Sequence, residues 1–158
     1  MRIISIDPGY DRLGVSVMEK DVKGKEVVLF SDCFLTDKKE SLEKRILFLG
    51  QEVKGVIKKW SPTHMAIEKL FFTKNQTTAM KVAEVRGVVI YEASQKGITI
   101  HEFSPQDIKI AVTGYGNASK DQVSKMTEKI LSLSKKKRLD DEMDALALGV
   151  TALAHNRK

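Results

Sequence analysis

The chain has 158 residues, of which 42% are hydrophobic and 30% are charged, and these values predict one globular domain over residues 1–158. Its 27 basic and 21 acidic residues leave a net charge of +6, which favours partners that carry phosphate groups. No apolar run reaches the roughly 20 residues of a membrane span. Because Cys33 is the only cysteine and the first residues do not resemble a signal peptide, we expect a cytoplasmic protein with no membrane association.

The first third of the sequence predicts three strands. Residues 2–6 form a short, β-branched, apolar run that stops at Asp7-Pro8-Gly9, which is typical of a buried strand that enters a turn. Residues 13–18 and Glu26–Leu35 have the composition of two further strands. We expect these three strands to form a meander.

Helices and strands alternate in the middle of the chain. Apolar residues spaced by three and four predict an amphipathic helix over residues 41–60, namely Leu42, Ile46, Leu49, Val53, Val56 and Trp60. A second apolar strand is predicted over residues 65–72. The pattern then predicts a helix over residues 76–96, with Gly97 as its C-terminal glycine, and a last strand over residues 98–103.

The last third of the sequence predicts only helices. Ser104-Pro105 indicates an N-cap followed by a first-turn proline, and Ser119 with Gln122 matches a capping box. The final helix is predicted over residues 139–155. Three strands, then alternating helices and strands, then helices predict an α/β fold with a five-stranded mixed sheet flanked by helices.

Two carboxylates follow the most apolar strands. Asp7 comes directly after Ile6, and Glu68 comes directly after Ile67. An ionised carboxylate at a dry strand end is costly unless a cation or a metal compensates it. Either acid alone is also typical of an ordinary turn or sheet edge, but two such acids in one short chain favour a functional site.

Two further acids, Asp141 and Asp144, stand three residues apart near the start of the final helix, so one helix face carries both. Acids in a first helical turn also complement the helix dipole, which is the interpretation we give to Asp140 and Glu142. The spacing of Asp141 and Asp144 would allow both to bind at a common metal site.

Taken together, the four acids form a set of hard oxygen donors without histidine or cysteine. Such a set suits Mg²⁺ or Mn²⁺ and not Zn²⁺. Two such ions ~4 Å apart would activate a water and stabilise the leaving oxygen in an in-line attack on a phosphodiester. The predicted chemistry is metal-assisted hydrolysis by Asp7, Glu68, Asp141 and Asp144.

Basic and aromatic residues lie close in sequence to these acids. One ring of Phe71-Phe72 is a candidate to stack on an unpaired base, with Lys74 and Asn75 beside it. The glycine-containing loop over residues 113–120 leads into a helix N-terminus, where backbone N–H groups and Lys120 could hold phosphate. Solvated helix faces would explain most lysines individually, including the run 135–138. The basic residues in question are Lys69, Lys74, Lys81, Lys109, Lys120 and residues 135–138.

Five motifs in this order resemble the RuvC family of Holliday junction resolvases, and the similarity covers nearly the whole chain. They are Ile6-Asp7-Pro8-Gly9, Ala66-Ile67-Glu68 with Phe71, Arg86-Gly87, the segment 113–123, and Asp141 to Asp144-Ala145-Leu146-Ala147. The resemblance implies a ribonuclease H-like fold and a homodimer. It also implies Mg²⁺-dependent symmetric nicking of four-way DNA junctions in recombination and repair, and a partnership with a branch-migration helicase.

The resemblance also implies residue roles. Asp7, Glu68, Asp141 and Asp144 match the family's metal-binding catalytic acids. Phe71 matches the aromatic residue at the opened junction, and Lys109 and Lys120 match the phosphate-contacting lysines. The run 135–138 departs from the family pattern because it is more basic than expected.

Two other functions remain open at this point. Asp11-Arg12 resembles a related family of resolvase-like nucleases that process ribosomal RNA precursors. A non-catalytic module that binds junctions and recruits repair proteins is the second alternative. A sugar kinase or actin-like ATPase lobe begins in a similar way, but it needs two lobes around a nucleotide and this chain supplies one.

Overall fold

The computed structural model describes residues 1–70 and 75–155, which form a five-stranded sheet between two layers of helices. The strands are β1 (Arg2–Asp7), β2 (Arg12–Lys20), β3 (Glu26–Leu35), β4 (His64–Glu68) and β5 (Thr99–Phe103). The helices are α1 (Leu42–Trp60), α2 (Gln76–Ser94), α3 (Pro105–Thr113), α4 (Lys120–Ile130) and α5 (Asp140–His155).

The sheet is mixed, in the order β3-β2-β1-β4-β5. The meander of β1, β2 and β3 is antiparallel, whereas β4 and β5 run parallel to β1. The parallel strands follow helical crossovers, which is how a chain returns to the same edge of a sheet. The predicted five-stranded mixed sheet flanked by helices is therefore confirmed.

Local sequence signals define several element ends. The Ser104 and Ser119 side chains accept hydrogen bonds from the N–H groups of Asp107 and Gln122, and both capping boxes are complete. Gly97 adopts a φ of +67°, as expected of a residue that closes a helix end. The helix before it ends at Ser94, two residues earlier than predicted.

The predicted strand over residues 65–72 was too long, because β4 ends at Glu68. Its last partner on β1 is Ile6, opposite Ile67, and its last partner on β5 is Phe103, opposite Glu68. The chain leaves the sheet after Phe103 to begin α3, so the neighbouring strand continues no further. Phe71 and Phe72, in the rest of the predicted strand, lie outside the described residues.

Two hydrophobic cores lie on opposite faces of the sheet. On one face, α1 and α2 cover the side chains of Ile4, Ile6 and Met65. On the other, α3, α4 and α5 cover Ile3 and Ala66. Since alternate residues of β1 serve opposite cores, the register of this strand is fixed from both sides.

Helix α5 is the central helix of its layer. Every residue from Met143 to Leu153 except Asp144 is buried, so this helix is enclosed on nearly all sides. The helix lies against small residues of the sheet: Ser16 Oγ donates a hydrogen bond to the carbonyl of Ala145 at 3.1 Å. Gly149 and Gly14 are the points of closest approach, because a Cβ at either would collide with the neighbouring element.

Within the described residues, the helices are all too short or too polar to cross a membrane.

Gly149→Ala should lower the free energy of unfolding by about 2 kcal/mol, because overpacking a close-packed contact is destabilising. A Cβ there would collide with Met18 Sδ and lie 3.0 Å from Ser5 Oγ. The matched control is Gly55→Ala on α1, where a Cβ would meet nothing within 4 Å. This control should raise the free energy of unfolding by about 0.5–1 kcal/mol. Urea denaturation measures both, and equal effects would contradict the packing.

Candidate active site

The sheet register places Asp7 and Glu68 side by side. Ile6 on β1 pairs with Ile67 on the parallel strand β4, and each acid is the next residue of its strand. Both carboxylates therefore leave the sheet at the same carboxyl-terminal edge. The carboxyl ends of parallel strands are a common location for active sites in α/β proteins.

Asp141 and Asp144 reach the same edge from α5. Asp7 pairs with Gly14 across β1 and β2, and Gly14 packs directly against the backbone of Asp141. The first turns of α5 are thus held over the end of β1. The structure thus brings all four acids predicted from the sequence to one edge of the sheet, and Asp144, Glu68 and Asp141 all help to raise the pKa of Asp7.

Burial, together with repulsion from neighbouring acids, raises the pKa of Asp7, Glu68 and Asp144. Burial, with additional repulsion from Asp144, Glu68 and Asp141, raises the pKa of Asp7 to about 7, although Lys120 opposes this. Burial also raises the pKa of Glu68, with a further contribution from Asp144. The pKa of Asp144 is raised by burial against the opposing hydrogen bond from Lys120. The negative charge of the acids is therefore only partly offset at this site.

Two side-chain cations offset part of this negative charge. Lys120 Nζ donates a hydrogen bond to Asp144 Oδ2 at 2.7 Å. Arg12 Nε lies 3.5 Å from Asp141 Oδ2. Burial works against the charged form of Lys120, but the hydrogen bond to Asp144 raises its pKa. Two cations facing four acids leave two negative charges uncompensated when all four are ionised.

The chemistry of the donor set fits a hard divalent cation. All four acids supply oxygen and none is accompanied by histidine or cysteine, which is the donor preference of Mg²⁺ and Mn²⁺. Among the described residues, however, no three Asp, Glu, His or Cys side chains already converge on one ion position. Asp141 and Asp144 are each paired with a cation, so their carboxylates face Arg12 and Lys120.

A cleft of about 250 Å³ opens next to the acids. Glu68 and Asp144 line it on one side, and Lys109 and Lys120 line it from α3 and α4. The two lysines predicted to contact phosphate therefore lie beside the candidate catalytic acids. A second cleft of about 290 Å³ contains Asp7 and reaches Glu68 from the other side.

Of the remaining predicted DNA-binding residues, the structure describes Asn75. Asn75 is exposed and is the N-cap of α2, where its side chain accepts a hydrogen bond from the Thr78 N–H at 3.2 Å. This contact gives Asn75 a structural role. Phe71 and Lys74 lie outside the described residues.

Arginines that support the site were given no role in the sequence analysis. Arg86, quoted only as part of a motif, donates from Nε to the carbonyl of Glu68 at 3.3 Å, and its guanidinium lies 3.0 Å from Glu102 Oε1. Arg45 of α1 donates to the Tyr10 carbonyl at 3.0 Å and pairs with Asp11. These contacts anchor the two segments that carry Asp7 and Glu68.

The interpretation of Glu142 as an acid that only complements the helix dipole was incomplete. This residue is only 5% exposed, accepts a hydrogen bond from Ser31 Oγ at 2.7 Å, and lies 3.3 Å from Arg138 Nε. Arg138 consequently faces the protein interior. Only Lys135, Lys136 and Lys137 of the basic run are exposed to a ligand.

Clustered carboxylates at the strand ends of a mixed sheet, with lysines in the adjoining cleft, define a nuclease of the ribonuclease H-like class. The sequence model described as "Crossover junction endodeoxyribonuclease RuvC" matches residues 3–152. The chain belongs to the RuvC family of crossover junction endodeoxyribonucleases. The resemblance identified from the sequence motifs is thereby confirmed, and nucleases of this family depend in general on divalent metal ions.

Individual relatives agree with this assignment. RuvC of Thermosipho melanesiensis is 43% identical over 149 residues, covering 94% of each chain. A structure of T. thermophilus RuvC in complex with Holliday junction substrate is 30% identical, with a TM-score of 0.92 over 99% of this chain and 95% of that one. The yeast mitochondrial Holliday junction resolvase shares the fold, with a TM-score of 0.69 at 11% identity over 96% of this chain and 77% of that one.

Asp7→Asn should stabilise the metal-free protein in a pH-dependent way. The folded-state pKa of about 7 exceeds the ordinary value of 3.8, so the folded chain binds a proton more tightly than the unfolded chain. Stability of the wild type is therefore lost as pH rises from about 4 to about 7. In chelator, the variant should gain about 4 kcal/mol over the wild type at pH 8 and almost nothing near pH 4.

Urea denaturation at several pH values measures this difference. Glu40→Gln, at an exposed acid outside the site, is the matched control and should show no such pH dependence. A difference between Asp7→Asn and the wild type that does not change with pH would contradict the electrostatic account.

Proposed function

We propose that this chain resolves four-way DNA junctions by symmetric, Mg²⁺-dependent hydrolysis of phosphodiester bonds in recombination and repair. Two Mg²⁺ ions, or Mn²⁺ as a substitute, would be held by Asp7, Glu68, Asp141 and Asp144. The observation that carries this proposal is the half-buried cluster of four acids that only two side-chain cations offset. Membership of the RuvC family supports a four-way DNA junction as the substrate.

The chain's own residues supply the environment for hydrolysis. Divalent ions bound at the four acids would polarise the scissile phosphate and activate an attacking water. Glu68 is held in position through its carbonyl by Arg86, and Asp7 emerges from a strand whose preceding residues are fully buried. Carboxylates held in place by the fold can keep the divalent ions in position without rearranging during the reaction.

Lys109 and Lys120 are proposed to hold the phosphates next to the scissile bond. Both line the cleft that contains Glu68 and Asp144. Lys120 donates a hydrogen bond to Asp144 and would become available for a phosphate once metal offsets that acid. Phe71, Lys74 and Asn75 are proposed to contact the opened junction. The relative from T. thermophilus that is bound to a junction, at 30% identity, supports this substrate.

A homodimer is also part of the proposal, since two equivalent sites suit a substrate that is cut symmetrically. Helix α2 is the proposed interface. Met80 and Tyr91 are each 62% exposed and lie three helical turns apart, so both could contact a partner. Val88 of the same helix instead packs against Gly50 of α1, within the chain. The branch-migration helicase partner, the single domain and the cytoplasmic location remain predictions.

Asp7→Asn should reduce junction cleavage by more than about 100-fold, because it removes a proposed metal ligand. Junction binding should remain close to that of the wild type. The assay compares a synthetic four-way junction with a linear duplex, a flayed duplex and a single-stranded RNA, each with Mg²⁺ or with chelator. Binding is measured by gel shift on the same junction, and Glu40→Gln is the matched control that should cleave normally.

Paired symmetric nicks in the junction alone, and only with Mg²⁺, are the expected result. Cleavage of the RNA alone would favour the RNA-processing nuclease. Tight, salt-sensitive junction binding without cleavage would favour the non-catalytic module. Cleavage by Asp7→Asn at the wild-type rate would contradict the metal assignment, and sedimentation of the protein as a monomer would contradict the dimer.

A further inference from the structure

Arg12, named above only for the resemblance of Asp11-Arg12 to the RNA-processing family, is also a cation at the candidate site. It is the first residue of β2, and its Nε lies 3.5 Å from Asp141 Oδ2. The Arg12 side chain is 51% exposed and that of Asp141 is 26% exposed, so the pair stands at the rim of the site. An arginine at this place is free to leave the carboxylate without unfolding any part of the sheet.

The backbone on both sides of this pair is fixed. A Cβ on Gly9 would collide with the carbonyl of Arg12, so the turn from β1 to β2 is tightly closed. Gly14, two residues beyond Arg12, packs against the backbone of Asp141. The short distance between Arg12 and Asp141 therefore follows from the packing of β2 on α5.

Asp141 faces the acids as well as Arg12. Its charge contributes to the raised pKa of Asp7 and also acts on Asp144. A cation that binds among the four acids would therefore encounter Asp141 already paired with a guanidinium. A divalent ion and a guanidinium compete for the same oxygens and repel each other at short distance.

We propose that Arg12 is a positioning residue that competes with divalent cations for Asp141 and so weakens metal binding at this side of the site. This inference rests on the proposed function, in which Asp141 is a metal ligand. When metal binds, the Arg12 guanidinium is displaced from Asp141 toward solvent. Lys120 is in the equivalent position at Asp144, but Arg12 is distinguished by its lack of a hydrogen bond to the acid that it offsets.

The test is calorimetric titration of the 158-residue protein with Mn²⁺, without DNA. Arg12→Gln should tighten the dissociation constant for Mn²⁺ by about twofold to fivefold, the range expected for loss of an exposed ion pair. Arg12→Lys keeps the charge and should stay near the wild type. Lys44→Gln removes the same charge from an exposed pair with Glu40 on α1, outside the site, and should leave the constant unchanged.

A double-mutant cycle with Asp141→Asn shows whether the effect passes through this carboxylate. Asp141→Asn should weaken Mn²⁺ binding, and adding Arg12→Gln to it should produce no further change. Tightening that persists in the Asp141→Asn background would overturn competition for Asp141. An unchanged or weakened constant for Arg12→Gln would overturn the whole inference.

The outcome for the acids separates this inference from the proposed function. If neither Asp7→Asn nor Asp141→Asn alters Mn²⁺ binding, the metal assignment itself fails. If both weaken binding while Arg12→Gln has no effect, the metal site stands and only the role of Arg12 is wrong. The rise in melting temperature caused by Mg²⁺ gives a second readout, and it should be larger for Arg12→Gln than for the wild type.

Discussion

The meeting of the four acids depends on how closely α5 approaches β2. Gly14 and Gly149 leave no room for a side chain between helix and sheet, and Ser16 bonds directly to the helix backbone. Because the helix lies so low on the sheet, its first turns reach the end of β1, where Asp7 emerges. A larger residue at Gly14 would lift the helix N-terminus and separate Asp141 and Asp144 from the other two acids.

The same close approach creates an electrostatic cost. Bringing acids from three elements together in a half-buried site raises the pKa of Asp7 to about 7, mainly through burial and then through repulsion from its neighbours. Sites of this kind often reduce the stability of the fold in exchange for function. Glu142 shows the contrast, since an acid with no site role is satisfied internally by Ser31 and Arg138.

Much of the fold could be predicted from the sequence because its signals are local. The capping boxes at Ser104 and Ser119 involve residues three apart, and both are present. The end of β4 and the burial of Glu142 could not be predicted in this way, since they depend on where β5 stops and where β3 lies. The four acids were predicted because their chemistry is unusual, whereas the contact of Arg12 with Asp141 was not, because the two residues lie 129 positions apart in sequence.

The distribution of charge also bears on the alternative functions. A module that only binds nucleic acid would gain affinity by losing carboxylates next to Lys109 and Lys120, because those acids repel phosphate. Four acids at this edge are compatible with a phosphate-bearing ligand when bound divalent cations replace the repulsion between acids and phosphate with attraction. Asp11 belongs to the Asp11-Arg12 pair that resembles the RNA-processing family. It forms ion pairs with Lys38, before α1, and with Arg45 of α1, and these pairs anchor the β1–β2 turn. Its presence therefore has a structural cause in this chain and gives little support to an RNA substrate.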